Sequence, residues 1–294
     1  MPLEQRALGR TGHQSSILVF GGFALSFLTQ PEADGVVDDA LARGVNHFDV
    51  APSYGDAETK LAPSVARHRA RMFLACKTRE RRRDAARDEL QRSLERLCTD
   101  RFDLYQCHAV SDAFDLERLL GPHGAIEAIE AARAAGLTRF VGITGHHCAV
   151  LRQAIERHPF DTVMFPLNPM QAADPRPATD YRPLLQTAVE RGVGVIAIKA
   201  TARSPWPNGT RPSYTTWYRP FDEPDRVTER LAFTLSHPVA TTVLPGDVRL
   251  WPAIFSAAEH LAPMAGARID ALIAAAAGSE PLYVESMKLA LPAY

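Results

Sequence analysis

The chain has 294 residues, 46% of them hydrophobic, with a formal net charge of -1 and a pI near 6.8. That length supplies enough core for one large domain or two ordinary ones. The balanced charge leaves no broad basic field of the kind that collects nucleic acid or an anionic membrane, so a small-molecule partner is the class that remains. The opening "MPLEQRALGRTGHQSS" has no apolar leader, and the apolar helix candidate "ALIAAAAG" near the other end is far too short for a bilayer. The four cysteines, Cys76, Cys98, Cys107 and Cys148, show no CxxC spacing, and two of them sit inside apolar runs. These features predict a cytoplasmic protein that needs no membrane, nucleic acid or metal.

Short apolar runs of strand length alternate with longer stretches of helical period. In chain order, "ILVFGG" from Ile17 precedes a helix candidate at Glu32 to Arg43, "HFDV" precedes Glu58 to Arg67, "MFLAC" precedes Arg83 to Leu97, and "DLYQCH" precedes Ala125 to Ala135. Then "RFVGIT" precedes Ala149 to Arg157, "DTVMFPLN" precedes Tyr181 to Arg191, "GVGVIAIK" precedes Asp225 to Ser236, and "TTVLPG" comes last. Strand-helix-strand links impose parallel pairing, and about eight such runs are what a closed parallel barrel requires. Gly44, Gly136 and Gly192 each follow a helix candidate, where a left-handed cap is needed. No linker interrupts the pattern before residue 250, so residues 1–294 are read as one domain. The irregular insertion is Thr201 to Pro224, "TARSPWPNGTRPSYTTWYRPFDEP", whose aromatics disfavour disorder and suggest a flap over a ligand.

In a parallel barrel, chemistry gathers where strands end on the carboxyl face. Asp49 ends the second run, Lys77 follows the third, His108 follows the fourth, and Tyr54 lies in the Pro/Gly turn "APSYGD" just after the second. Taken singly, each is an ordinary solvated cap or rim residue. Together, from three neighbouring strands, they have a shared task. A lysine cation beside the phenol should favour the tyrosinate and pull Tyr54 below its reference value, while Asp49 holds the ammonium in place. A proton-releasing phenol next to a histidine is apparatus for stabilising an alkoxide. Hydride must then come from a nicotinamide or flavin cofactor. Two other candidates carry less. "GHHCA", Gly145 to Ala149, sets His146 and His147 side by side, where adjacent residues diverge, so it is not read as a metal site. The arginine-rich "KTRERRRDAARDELQRSLER" reads as a solvated helix with interleaved acids.

At these residues the sequence resembles the aldo-keto reductase superfamily. "LGRTGHQSSILVFGG" is similar to its N-terminal hairpin and first strand, "GVNHFDVAPSYGDAE" to its Asp/Tyr segment, "FLACKT" to its lysine strand, "SLERLCTDRFDLYQCHA" to its histidine strand, and "AGLTRFVGITG" to its fifth strand. The resemblance implies an α/β fold, a (β/α)8 TIM barrel with an N-terminal β-hairpin and extra C-terminal helices. It implies a catalytic tetrad of Asp49, Tyr54, Lys77 and His108, and NAD(P)(H) bound across the barrel mouth without a Rossmann domain. Contacts to the cofactor are expected from Gly22, Phe23, Asp49, Thr144, Met164, Ile198, Lys199, Gly246 and Arg249. Contacts to a small carbonyl or alcohol substrate are expected from Phe23, Tyr54, His108, Trp206 and Trp217.

Departures from the family pattern are specific. Thr144-Gly145 and Met164 stand where the family commonly places Ser-Asn and Gln around the carboxamide, and Ile198 stands where many members stack a Tyr. Lys199 is expected to meet cofactor phosphates. After Pro245 the sequence runs Gly246-Asp247-Val248-Arg249, without the lysine that often grips a 2′-phosphate, so the expectation of NADP(H) over NAD(H) rests on family habit and on the Arg249 fork. The implied reaction is reduction of an aldehyde or ketone. Oxidation of a sugar or cyclic alcohol, or a cofactor-sensing regulatory role, are the alternatives.

Overall fold

The computed structural model describes residues 3–207 and 209–282. β1 (Gln5–Ala7) and β2 (Gln14–Ser16) form an antiparallel hairpin. The next strands are β3 (Leu18–Gly21), β4 (His47–Asp49), β5 (Phe73–Thr78), β6 (Phe102–Cys107), β7 (Thr138–Thr144), β8 (Thr162–Pro166) and β9 (Gly194–Ile198). They pair parallel in sequence order, and β12 (Thr241–Val243) bonds both β9 and β3 to close an eight-stranded barrel. β10 (Ala202–Ser204) and β11 (Arg219–Pro220) form a small antiparallel pair at the two ends of the aromatic insertion.

Helices α1 (Gln30–Ala42), α2 (Ala57–His68), α3 (Arg83–Arg96), α5 (Ala125–Ala134), α6 (Cys148–Arg157), α8 (Arg182–Glu190) and α9 (Pro224–Leu235) occupy the seven expected helical stretches, with ends shifted by two residues at most. Local chemistry sets those ends. Thr29 and Glu32 form a reciprocal capping box at the start of α1, and Gly44 beyond its end sits at φ 93°. Gly136 and Gly192 follow α5 and α8 in the same left-handed conformation, at φ 77° and 66°. The additional helices are α4 (Ala113–Leu120), α7 (Pro169–Ala173), and α10 (Trp251–Glu259) and α11 (Gly266–Ala275), the C-terminal pair. Among the described residues no helix is long and apolar enough to cross a membrane.

The period of two along each strand sorts side chains between two environments. Leu74, Cys76, Tyr105, Val141, Val163 and Val195 face outward into the main core beneath the helices. Phe73, Ala75, Leu104, Met164 and Ile196 face inward, where Leu8 from the β1–β2 turn plugs the far end of the barrel. Gly9 makes that plug possible: at φ 52° it lies so close to β9 that a Cβ would stand 2.2 Å from the Gly194 nitrogen. Continuing the inward rows toward the carboxyl ends brings up Asp49 after His47, Lys77 after Ala75 and Gln106 after Leu104. One apolar alternation therefore both fills the barrel and aims these polar residues at its mouth.

Candidate active site

Lys77 is 1% and Asp49 2% exposed, and the Lys77 ammonium donates a very short hydrogen bond to Asp49 Oδ2. The other carboxylate oxygen of Asp49 accepts from Gln106 Nε2 at 2.9 Å. Lys77 Nζ also donates to the Tyr54 phenol oxygen at 3.2 Å. Tyr54 is held by its own turn: its N–H bonds the Ala51 carbonyl at 3.0 Å, Ser26 Oγ donates to its carbonyl, and Gly55 at φ 57° carries the chain onward. The His108 ring lies edge-on to Tyr54 with centroids 5.8 Å apart. Its backbone is fixed by an N–H bond to the Thr78 carbonyl at 2.8 Å and by Arg81 on its own carbonyl at 2.7 Å. The next residue, Ala109, is forced to φ 55°, and its N–H bonds Thr144 Oγ1 at 3.0 Å.

These four side chains line one cavity open to solvent, together with Gly21, Phe23, Thr144, His146, Met164, Ile198, Lys199, Trp217 and Gly246. Nearly all of the residues expected from the sequence meet there, and the exceptions have physical reasons. Gly22 is off the wall: a Cβ on it would meet the Asp49 carbonyl at 2.7 Å, so it packs behind the strand while Gly21 faces the cavity. Trp206 is also off the wall. Its indole N–H donates to the Thr216 carbonyl at 2.8 Å and braces the insertion, leaving Trp217 to pack on Phe23 with centroids 4.3 Å apart.

Arg249 lies outside the cavity, and two of its three guanidinium nitrogens are engaged. It binds Asp247 through Nε at 2.9 Å and Nη2 at 2.6 Å, and Nη2 also donates to the Ser213 carbonyl at 2.7 Å. The same Asp247 accepts the Thr215 N–H and so staples the insertion down. Lys199 is not an open cation either. It sits buried at φ 63° just past β9, with Nζ 2.9 Å from His146 Nε2, and burial pulls it down to about 7.

Electrostatics correct the expectation for Tyr54. Burial pushes the phenol above its usual value, and the opposing pull of Lys77 does not overcome it. Burial likewise holds His108 well below the ordinary imidazole value, helped by Lys77 and Arg79, so its ring is neutral at pH 7. For Lys77 burial works against the charge, yet Asp49 and Tyr54 more than offset it and the ammonium is held above its usual range. At neutral pH the cavity thus presents a protonated phenol, a neutral imidazole and a fixed ammonium.

His146 and Gln106 were missed by sequence reasoning. His146 follows β7 at the carboxyl face, the same rule that found His108, and its neighbour His147 turns away to cap α6 by accepting the Val150 N–H. Gln106 was visible as a polar residue in an apolar run. Gly142 on β7 leaves it room, since a Cβ there would stand 2.9 Å from Gln106 Cγ. Gly145 likewise has a local cause: the Val110 carbonyl lies 2.4 Å from where a Cβ would be.

Comparison with known proteins comes to the same place. The aldo/keto reductase family model matches residues 17–214. L-galactose dehydrogenase of Arabidopsis thaliana is 29% identical over 216 residues, 68% of this chain and 66% of that protein. The uncharacterized oxidoreductase YqkF of Bacillus subtilis is 25% identical over 209 residues, 66% of this chain and 64% of that protein. The match thus spans slightly less than two thirds of either relative's length. Among solved structures, the holo form of the aldo-keto reductase AKR11C1 from Bacillus halodurans superposes with a TM-score of 0.74 at 23% identity, covering 97% of this chain and 99% of that one. At that identity the likeness is one of fold.

The buried pair makes a prediction independent of any activity. Replacing Lys77 by Met strands the Asp49 charge in the barrel and should cost about 3 to 5 kcal/mol, read from the urea midpoint. Adding Asp49→Asn should recover part of that loss. A single variant within about 1 kcal/mol of the parent contradicts a charged, buried pair.

Proposed function

The chain belongs to the aldo/keto reductase family, and from that premise we propose that it is an oxidoreductase that interconverts an aldehyde or ketone and its alcohol using a nicotinamide dinucleotide. The observation that carries the proposal is the Lys77 ammonium, bonded to Asp49 on one side and to the Tyr54 oxygen at 3.2 Å on the other, with His108 beside it in the same cavity. The wall suits a flat ring with a polar substituent: Phe23, Met164, Ile198 and Trp217 supply apolar surface, and the buried Nδ1 atoms of His108 and His146 have no hydrogen-bond partner among the described residues. Thr144, Met164, Ile198, Lys199 and Gly246 would hold the dinucleotide, with Phe23 and Trp217 closing over substrate. When bound, the dinucleotide supplies the hydride, which no side chain can deliver.

The side chains do the rest. Tyr54 gives its proton to the carbonyl oxygen. Lys77 stabilises the tyrosinate left behind, and Asp49, anchored by Gln106, keeps the ammonium charged and in reach. His108, neutral, donates a hydrogen bond to the same carbonyl oxygen. A phenol that keeps its proton at neutral pH suits reduction there; oxidation needs the tyrosinate and gains as pH rises. The relative named as a dehydrogenase is consistent with a site that serves either direction. Four free thiols, three of them buried, support a cytoplasmic setting as part of the same proposal.

Two outcomes are expected. Tyr54→Phe should keep the fold and lower kcat by about 10²- to 10⁴-fold. Because burial raises Tyr54 and lowers His108, reductive kcat at saturating dinucleotide, where the titration of Lys199 at about 7 does not limit binding, should stay flat through neutrality and fall only once the phenol titrates. A reductive profile already falling near neutrality, or a Phe variant as fast as the parent, defeats the assignment.

The choice of dinucleotide follows from Asp247. The expectation of NADP(H) leaned on Arg249, whose fork is engaged, so we propose that NAD(H) is accepted at least as well. Tryptophan quenching should give dissociation constants for NADH and NADPH within about threefold of each other or favouring NADH, and Asp247→Asn, which frees the guanidinium, should shift the ratio about tenfold toward NADPH. A parent that strongly prefers NADPH and loses that preference in Arg249→Ala would show that the fork leaves Asp247 for the phosphate.

A further inference from the structure

A second crevice adjoins the cavity. It is an open groove bounded by Ser53, the exposed Arg79, Arg92 and Arg96, Glu89 and the His108 ring. His108 lines both spaces, so the crevice meets the cavity at the imidazole beside the proposed proton donor. Arg79 follows β5 two residues after Lys77 and lies near enough to act on the His108 ring electrostatically. Arg92 and Arg96 are one turn apart on α3, on the face toward the crevice.

The charge balance there is uneven. Glu58 pairs with Arg96 at 3.0 Å, and Glu89 accepts the Thr78 hydroxyl. No acid among the described residues pairs with Arg79 or Arg92. With Glu58 offsetting Arg96 and Glu89 offsetting one more charge, the groove keeps a net positive charge of one guanidinium, carried by Arg79 and Arg92. Their forks match the oxygens of a carboxylate or phosphate, and contacts of that kind are charge-assisted on both sides. An isolated helix face would share no wall with His108.

We infer that this crevice binds the carboxylate or phosphate of the reacting compound, so that the substrate is an anionic aldehyde, ketone or hydroxy compound whose reacting carbon is held at Tyr54 while its charge is held by Arg79, Arg92 and Arg96. The inference rests on the reaction proposed above and names its substrate class. The same anion chemistry is offered by the phosphates of the dinucleotide, and the experiment separates the two sources.

The test compares the parent with the Arg79→Gln/Arg92→Gln double variant. With 4-carboxybenzaldehyde and its uncharged methyl ester as substrates, the parent should favour the carboxylate in kcat/KM by about 10- to 100-fold, carried in KM, and the variant should lose most of that ratio. Equal ratios in the two proteins overturn the inference. If the dissociation constants of NADH and NADPH weaken in the variant while the substrate ratio holds, the crevice serves the dinucleotide and the substrate class is wrong. Inorganic phosphate, titrated while the His108 ring signals are followed by NMR, should give a saturable shift in the parent and none in the variant. An enzyme inactive on both aldehydes counts against the proposed reaction, and the phosphate titration then decides the crevice alone. An identical shift in both proteins, or none in the parent, overturns it.

Discussion

The arrangement depends on one buried ammonium. An uncompensated lysine inside a barrel loses several kcal/mol of hydration, so Lys77 stays charged there only because Asp49 faces it across neighbouring strands. The pair in turn depends on Gln106, which satisfies the second carboxylate oxygen from the next strand, and on Gly142, which lets Gln106 adopt that position. Removing any member leaves a polar group buried without its partner. The cost of holding these groups is met by the apolar rows below them, from Phe73, Leu104, Met164 and Ile196 to the Leu8 plug.

Burial has two effects on the same cavity. It raises the Tyr54 phenol and lowers the His108 imidazole, so both are neutral at working pH, and it strengthens the effect of the Lys77 ammonium on its neighbours. The sequence argument weighed only the neighbouring cation and therefore expected the phenol to move the other way. Desolvation is a property of the packed mouth, where Phe23 and Trp217 close over Tyr54 with ring centroids 5.4 and 6.4 Å from it, and no local motif reports it.

What was legible in the sequence follows from which forces are local. Helix ends could be read because caps and glycines act within a few residues, and barrel strands because their apolar runs are continuous. Asp49, Tyr54, Lys77 and His108 could be read because strand ends project to one face whatever the closure. The helix at Ala113–Leu120 could not, since two turns are too short for the helical period to stand out. The pairing of Arg249 with Asp247, two residues away, could not, since the spacing alone does not separate it from a guanidinium free for a phosphate. The brace between Trp206 and Thr216, and the contact of Lys199 with His146, depend on how the insertion and distant strand ends fold back.

The most direct test of the central claim is the titration of Tyr54 itself, followed through the carbon resonance of a labelled phenol ring in the parent and in Lys77→Met. If the ammonium acts on the phenol across 3.2 Å, Tyr54 titrates above the ordinary tyrosine value in the parent and higher still once the cation is gone. A phenol whose titration is unchanged by the loss of Lys77, or shifts downward, would contradict the account.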